Sequence, residues 1–200
     1  LLEFLQMHGM NVLITGVVLI VAVAGILWYR STTQSSTGRA AELLGQVRTI
    51  QDLQEIVTKY PKAPSAPMAL MMMAKAYYDT GNYGMADTPY SEFETKYPGH
   101  ALVPTARLGR INTLEAMGQS EQALSGYADF VKQNPDHYLV PVAMFGQARC
   151  LEQMGRTGEA RAIYEEFITA HPGSAWLPEA ETAISTLDRT LKAGPAPGKG

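Results

Sequence analysis

Residues Pro104 to Pro135 read PTARLGRINTLEAMGQSEQALSGYADFVKQNP, and Pro141 to Pro172 read PVAMFGQARCLEQMGRTGEARAIYEEFITAHP. Laid over each other at a step of 37, the two stretches coincide at several positions, among them a leading proline, two alanines, the glycine of Gly118 and Gly155, a tyrosine, a phenylalanine and a closing proline. The step holds along most of the chain. Its columns are Pro67, Pro104, Pro141 and Pro178; Ala69, Ala106, Ala143 and Ala180; Gly81, Gly118 and Gly155; and Ala86, Ala123 and Ala160. Tyr90, Tyr127 and Tyr164 follow, then Phe93, Phe130 and Phe167, and Pro61, Pro98, Pro135 and Pro172 close each unit. A fixed period of this length marks a repeat architecture.

Each column has a physical task. The leading proline suits the first turn of a helix, where its missing N–H is not needed. The alanines let helices approach closely, and Tyr77, Leu114 and Leu151 add bulk later on the buried side. The glycines fall where the first helix must stop and the chain reverse, a position that favours a left-handed residue. Ser120 and Thr157 are expected as N-caps of the second helix. The alanine, tyrosine and phenylalanine columns lie four and three residues apart, one buried stripe of that helix, and the closing proline ends it. The unit is a helical hairpin, and the fold class is all-α.

Working outward, Leu53, Ile56 and Pro61 continue the columns one period earlier, so the array opens with half a unit. Pro178 and Ala180 start one more first helix at the other end, with Asp188 where leucine is expected, as suits a capping helix. Arg107, Arg110 and Gln147 fill first-helix slots that call for apolar residues, which predicts looser packing there. Pro89 inside a second helix predicts a bend near Asp87–Pro89.

Upstream, residues 12–29 read VLITGVVLIVAVAGILWY without a charge, and Met10, Asn11 and the anchor Trp28, Tyr29, Arg30 extend the run. At about 1.5 Å per residue this nearly crosses a hydrocarbon core of roughly 30 Å. Ala22-Val23-Ala24 resembles a signal cleavage site, but the apolar run continues past it. The organisation read from the chain is a transmembrane anchor over 1–30, contacting the bilayer through 10–30, and a polar linker over 31–40. A repeat domain then covers 41–191, as a half unit, three full units and a capping helix, with a disordered tail over 192–200. Arg30 and Arg39 against Glu3 and His8 lean toward a cytoplasmic C-terminal side.

The net charge of −3 lacks the basic surplus of a nucleic-acid binder, and no nucleic-acid partner is expected. One cysteine makes neither an internal disulfide nor a cysteine zinc site. Cys150 reads as a small buried hydrophobe. His100 and His137 hold equivalent places in successive loops and read as turn residues, and His171 falls at a helix end. No phosphate loop, serine elbow or paired metal-ligand spacing occurs. Catalytic residues, metal ligands and cofactors are therefore all expected to be absent, and the chain is not expected to be an enzyme.

The unit resembles a tetratricopeptide repeat with three extra residues between units, making a short α-solenoid of period 37 behind a single N-terminal transmembrane helix. The linkers YPGHALVP, NPDHYLVP and HPGSAWLP are similar to those of bacterial envelope proteins of the outer-membrane-assembly and Tol–Pal coordinator types. With the N-terminal span, the architecture resembles the ancillary translocon subunit family. That resemblance implies a single-pass protein of the bacterial inner membrane, repeats in the periplasm, and a scaffold or adaptor role beside the translocon and periplasmic chaperones. The alternatives are an accessory subunit of a larger membrane complex, or an adaptor of outer-membrane assembly or cell-wall synthesis. Family geometry places the concave wall on the first helices. There Met71, Leu108 and Phe145 form an apolar column, Lys75, Asn112 and Arg149 a donor column, and Tyr78, Glu115 and Glu152 a third. These nine residues are the expected partner groove, apolar anchors beside polar registration. The competing reading packs the apolar column against the neighbouring helix.

Overall fold

The structure, a computed structural model, describes residues 21–25 and 36–193, all strands being absent among them. The chain divides into two compact units, Leu1–Ala69 and Leu70–Gly200. In the first, residues 36–46 are helical and run through the boundary expected at 40 between linker and repeats. Helix α1, Ile50–Lys59, follows, opened by a capping box in which Thr49 and Asp52 exchange hydrogen bonds. Of the expected anchor only residues 21–25 are described, as exposed helix; the rest of the apolar run lies outside the described residues, as does the tail from 194. Among the described residues, no helix is long and apolar enough to cross a membrane.

Helix α2, Ala66–Asp79, leads into the second unit, where α3 is Tyr83–Lys96, α4 Val103–Ala116, α5 Ser120–Gln133, α6 Val140–Gln153, α7 Thr157–Ala170 and α8 Leu177–Ala193. Successive helices from α3 to α8 pack pairwise, and α4 also touches α6, the contact pattern of stacked hairpins.

Each hairpin turns on its column glycine. Gly81, Gly118 and Gly155 have φ of 76°, 74° and 73°. In the second turn the Gly118 N–H donates to the Glu115 carbonyl and the Gln119 N–H to that of Leu114, at 2.9 and 3.0 Å. This is a Schellman closure, which only a left-handed residue completes without strain. It corrects the expected caps. Gln119 and Arg156 end one helix and open the next, their carbonyls accepting from Ala123 and Ala160. Ser120 is displaced to the first helical position, where its hydroxyl donates to Gln153 Oε1 at 2.7 Å. The helices start one residue early because the closure uses the capping position itself.

The alanine, tyrosine and phenylalanine stripes of α3, α5 and α7 are all buried. Each tyrosine ring in the first two full units lies against the following first helix at a glycine the sequence reading did not single out. A Cβ on Gly109 would stand 2.5 Å from the Tyr90 ring, and one on Gly146 2.4 Å from that of Tyr127. Pro89 is fully buried and α3 runs through it without interruption. Arg107 donates to Glu94 at 3.2 Å and to Gln133 at 2.8 Å, and Arg110 to Asp87 at 2.8 Å. The two arginines thus tie α3, α4 and α5 by hydrogen bonds in place of apolar packing. Asp188 on α8 accepts from Arg161 at 2.7 Å. With Glu181, Ser185, Arg189 and Lys192, it lines the side of α8 where Ile184 is the only apolar member of a shallow cleft.

Gly146→Ala weighs two effects against each other. Alanine gains about 1 kcal/mol of helix propensity, but the new methyl overpacks a ring that cannot withdraw, at roughly 1–3 kcal/mol. A net loss of stability is expected in denaturant unfolding, whereas Gly158→Ala, where the Cβ meets open space, should be neutral or slightly stabilising.

Candidate functional site

The three expected columns of the inner wall separate into different environments. Leu108 and Phe145 are each only 4% exposed. Phe145 stands edge-on to the rings of Tyr164, Phe167 and Trp176, with centroids 5.1, 5.2 and 5.5 Å away. Leu108 belongs to a cluster with Ile111, Ala123, Tyr127, Phe130, Ala143 and Cys150, against which Leu139 packs. Leu139 and Trp176 hold the same place in successive loops and fold over the apolar column, so Leu108 and Phe145 are stacking residues. Met71 alone of the column is half-exposed.

The other two columns are mixed: Lys75, Arg149 and Glu152 are exposed, whereas Tyr78, Asn112 and Glu115 are partly buried. Lys75 is exposed and pairs with Asp79 one turn on, at 2.7 Å. Tyr78, half-buried, meets the Tyr83 ring edge-on at 5.1 Å. Glu115 is the hub of the wall. Arg149 Nε and Nη2 donate to its two carboxylate oxygens at 2.8 and 2.9 Å. The Tyr127 hydroxyl lies 2.5 Å from Glu115 Oε2 and also 2.5 Å from Asn112 Oδ1. Gln153 Nε2 approaches Glu115 at 3.4 Å while its own carbonyl oxygen accepts from Ser120. Glu152, exposed, accepts from the Tyr164 hydroxyl at 3.2 Å.

The carboxylate of Glu115 is 11% exposed and the guanidinium side chain of Arg149 46%. A bidentate pair of this kind is strong and directional, and it joins α4 to α6 across a repeat boundary. Its Glu115 hydrogen bonds hold Arg149 firmly cationic. Burial, reinforced by the Glu115 carboxylate, pushes the Tyr127 phenol far above its ordinary range, and burial does the same for Tyr164 beside Glu152. Both phenols are donors at any physiological pH. Sequence reasoning placed Glu115 and Arg149 on the wall without pairing them, and read Ser120 as an N-cap rather than as the hydrogen-bond donor to Gln153. The available signal was the spacing: Glu115 and Arg149 lie three residues short of one period apart, a diagonal across neighbouring first helices.

His100 and His137 accept backbone N–H groups at Nδ1, from Leu102 at 3.1 Å and Leu139 at 3.2 Å, and His171 caps the end of α7. Among the described residues, no group of three His, Cys, Asp or Glu is placed to hold a metal ion. The arrangement supplies fixed donors and acceptors on a rigid wall, which is the chemistry of recognition.

The tetratricopeptide repeat-like domain family matches residues 3–185. A tetratricopeptide repeat protein from Parabacteroides merdae is similar in fold, with a TM-score of 0.58 at 14% identity over 80% of this chain; the matched part is 61% of that longer chain. A Podosopora anserina protein of nearly identical TPR-like repeats gives a TM-score of 0.60 at 16% identity, over 82% of this chain and 89% of the other. At these identities the likeness is one of fold. No curated protein sequence matches, and no enzymatic family is among the similarities.

Two measurements check this layout. Phe145→Ala should cost about 3–5 kcal/mol in denaturant unfolding, as a large aromatic removed from a core does; an unchanged midpoint would return Phe145 to the surface. Burial, with Glu115 nearby, pushes the Cys150 thiol up to about 11, leaving its thiolate about a hundredfold scarcer at pH 8 than in an ordinary cysteine. A disulfide reagent at that pH should therefore label Cys150 only after unfolding.

Proposed function

Because this chain belongs to the tetratricopeptide repeat-like domain family, we propose that it is a protein–protein interaction scaffold held at a membrane by residues 10–30. The observation that carries the proposal is the extent of the family match, which begins at residue 3, ahead of the apolar run, and continues through the repeats to 185. Apolar run and repeat array thus fall within one family domain. The uncharged length from Val12 to Tyr29, ended by Trp28, Tyr29 and Arg30, supports a single pass. The architecture and linkers support the inner membrane of a bacterium, repeats in the periplasm, and a place beside the translocon and periplasmic chaperones.

The binding surface in this reading is the polar wall: Lys75, Asn112, Arg149 and Glu152, with Met71 and Tyr78 as partly exposed apolar contacts. A partner peptide gains register from these donors and acceptors and affinity from the few apolar faces. A second reading, an accessory subunit docked through its anchor, is favoured by one observation. Lys75 is paired with Asp79, Arg149 with Glu115, and Glu152 with Tyr164, so the wall is satisfied without a partner.

Affinity purification of the full chain in mild detergent, read by mass spectrometry, separates the two. Lys75→Glu with Glu152→Lys reverses two exposed wall charges outside the Glu115 hub, and Val18→Arg with Ile20→Arg interrupts the apolar run. A scaffold should lose its partners at least tenfold with the wall variant. Loss confined to the run variant would favour the accessory subunit, and retention in both would remove the membrane-scaffold proposal.

A further inference from the structure

Arg107 and Arg110 stand where the repeat pattern calls for apolar residues, and the wall uses neither of them. With Ile111 and Leu114 they form a stripe along one face of α4, while Asn112 and Glu115 lie on another. The stripe floors a cleft of about 420 Å³, whose sides are Glu94 of α3 and Gly126, Asp129 and Phe130 of α5. Helix α4 packs against both α3 and α5, so the cleft runs over it between the two.

The cleft has a cause in the sequence. Ile111 and Gly126 meet inside the second hairpin, where a Cβ on Gly126 would stand 3.0 Å from the Ile111 side chain. One step earlier the same two places hold Ala74 and Pro89, and one step later Ala148 and Ile163. In those hairpins the second helix supplies the bulk; in this one the first helix does. Core volume is conserved by the exchange, but α5 is left without a side chain at the place where α3 and α7 carry one.

The charges around the cleft are one cation short. Arg107 donates from Nε to Glu94 Oε2 at 3.2 Å and from Nη1 to Gln133 at 2.8 Å, and Arg110 donates from Nε to Asp87 at 2.8 Å. Asp129 is exposed and, among the described residues, has no ion-pair or hydrogen-bond partner. Three carboxylates, those of Asp87, Glu94 and Asp129, thus stand against two guanidinium groups. Glu94 Oε1 is closed to solvent and has no donor, so its charge is poorly screened and its field reaches into the cleft.

From this imbalance over an apolar floor we infer that the cleft is a second docking site, and that its occupant is a lysine side chain presented by a protein partner. A lysine buries its aliphatic stem along apolar surface and keeps its ammonium group at the edge. Here the stem lies over Gly126, against Ile111, Leu114 and Phe130, and the ammonium group meets Asp129. An acidic side chain would face the unpaired Asp129 carboxylate. A compact ammonium also suits one open carboxylate better than the wide fork of an arginine, which would crowd the two guanidinium groups already present. Because the stripe lies off the face of Asn112 and Glu115, the wall stays free for a different partner.

The test uses the full chain in mild detergent, labelled at isoleucine and leucine methyl groups, and a capped peptide carrying one lysine among glycines. The peptide should shift the Ile111 and Leu114 methyl resonances in a saturable way. Norleucine in place of the lysine keeps the stem and removes the charge; it should weaken binding about fivefold, the size of one partly exposed ion pair. Asp129→Asn should do the same. Ile111→Ala/Gly126→Ile gives the second hairpin the pair found in the third and fills the cleft, so the Leu114 resonances should no longer respond. If that variant fails to fold, Asp129→Asn, a change at an exposed position, still decides. Equal binding of the norleucine peptide, tighter binding of a glutamate peptide, or no shift at all would each overturn the inference. Lys75→Glu with Glu152→Lys should leave binding of the lysine peptide unchanged, and a loss there would move the site to the wall.

Discussion

Where the ring of Tyr127 lies against α6, the backbone at Gly146 leaves no room for even one methyl group, and three helices depend on that close fit. The ring comes from α5, lies on α6, and sends its hydroxyl to Asn112 and Glu115 on α4. Glu115 then holds Arg149, which returns the connection to α6. Apolar contact and hydrogen bonding thus meet in one residue, and each constrains the other: the ring cannot withdraw from Gly146 without drawing its single hydroxyl proton away from the acceptors on α4. Burying a tyrosine hydroxyl is costly unless it is satisfied, and here the first helix of the same hairpin supplies the acceptors, while the ring and the Glu115–Arg149 pair reach the next unit. Stacking of the second hairpin on the third is therefore specified in register as well as driven by area.

The same geometry sets the character of the wall. A partner does not meet bare charges there; it meets pairs already formed. Surface pairs such as Lys75 with Asp79 are weak and exchange easily, so they are available to a partner at little cost. The Glu115–Arg149 pair is different, because its carboxylate is nearly buried and further held by Tyr127. Removing either charge would leave the other uncompensated in a partly dry site. Recognition on this wall is thus divided between a fixed centre and exchangeable flanks.

How much of this was legible in the sequence depends on whether the responsible residues recur. The proline, glycine, alanine, tyrosine and phenylalanine columns could be read because each repeats at least three times, and the hairpins stand where they indicate. Gly109 and Gly146 escaped notice because only two units share them: the first has Met72 in that slot and the last Ala183. Ser120 and Thr157 misled because capping propensity is local, whereas the glycine closure commits the preceding residue to both helices. Leu108 and Phe145 were placed on the wall because first-helix periodicity cannot show that a loop one unit later, bringing Leu139 or Trp176, folds back across them. The arginines at 107 and 110 violate the apolar pattern, yet partners on α3 and α5 lie within hydrogen-bond reach.

A repeat array separates two kinds of position more cleanly than an irregular fold does. Columns that stay constant, such as the tyrosine and phenylalanine stripes, satisfy the same stacking demand in every unit, since each hairpin contacts only its neighbours. Columns that change are free of that demand. The donor column passes from Lys75 to Asn112 to Arg149, and the next from Tyr78 to Glu115 to Glu152. No packing rule asks for this variation, because those side chains are at least partly exposed while the stripes behind them are buried. Chemical identity on this protein is therefore carried by the wall, unit by unit, and shape by the columns behind it. The loops at His100, His137 and Ser174 belong to both classes at once: their geometry is conserved from turn to turn, and only the acceptor atom changes.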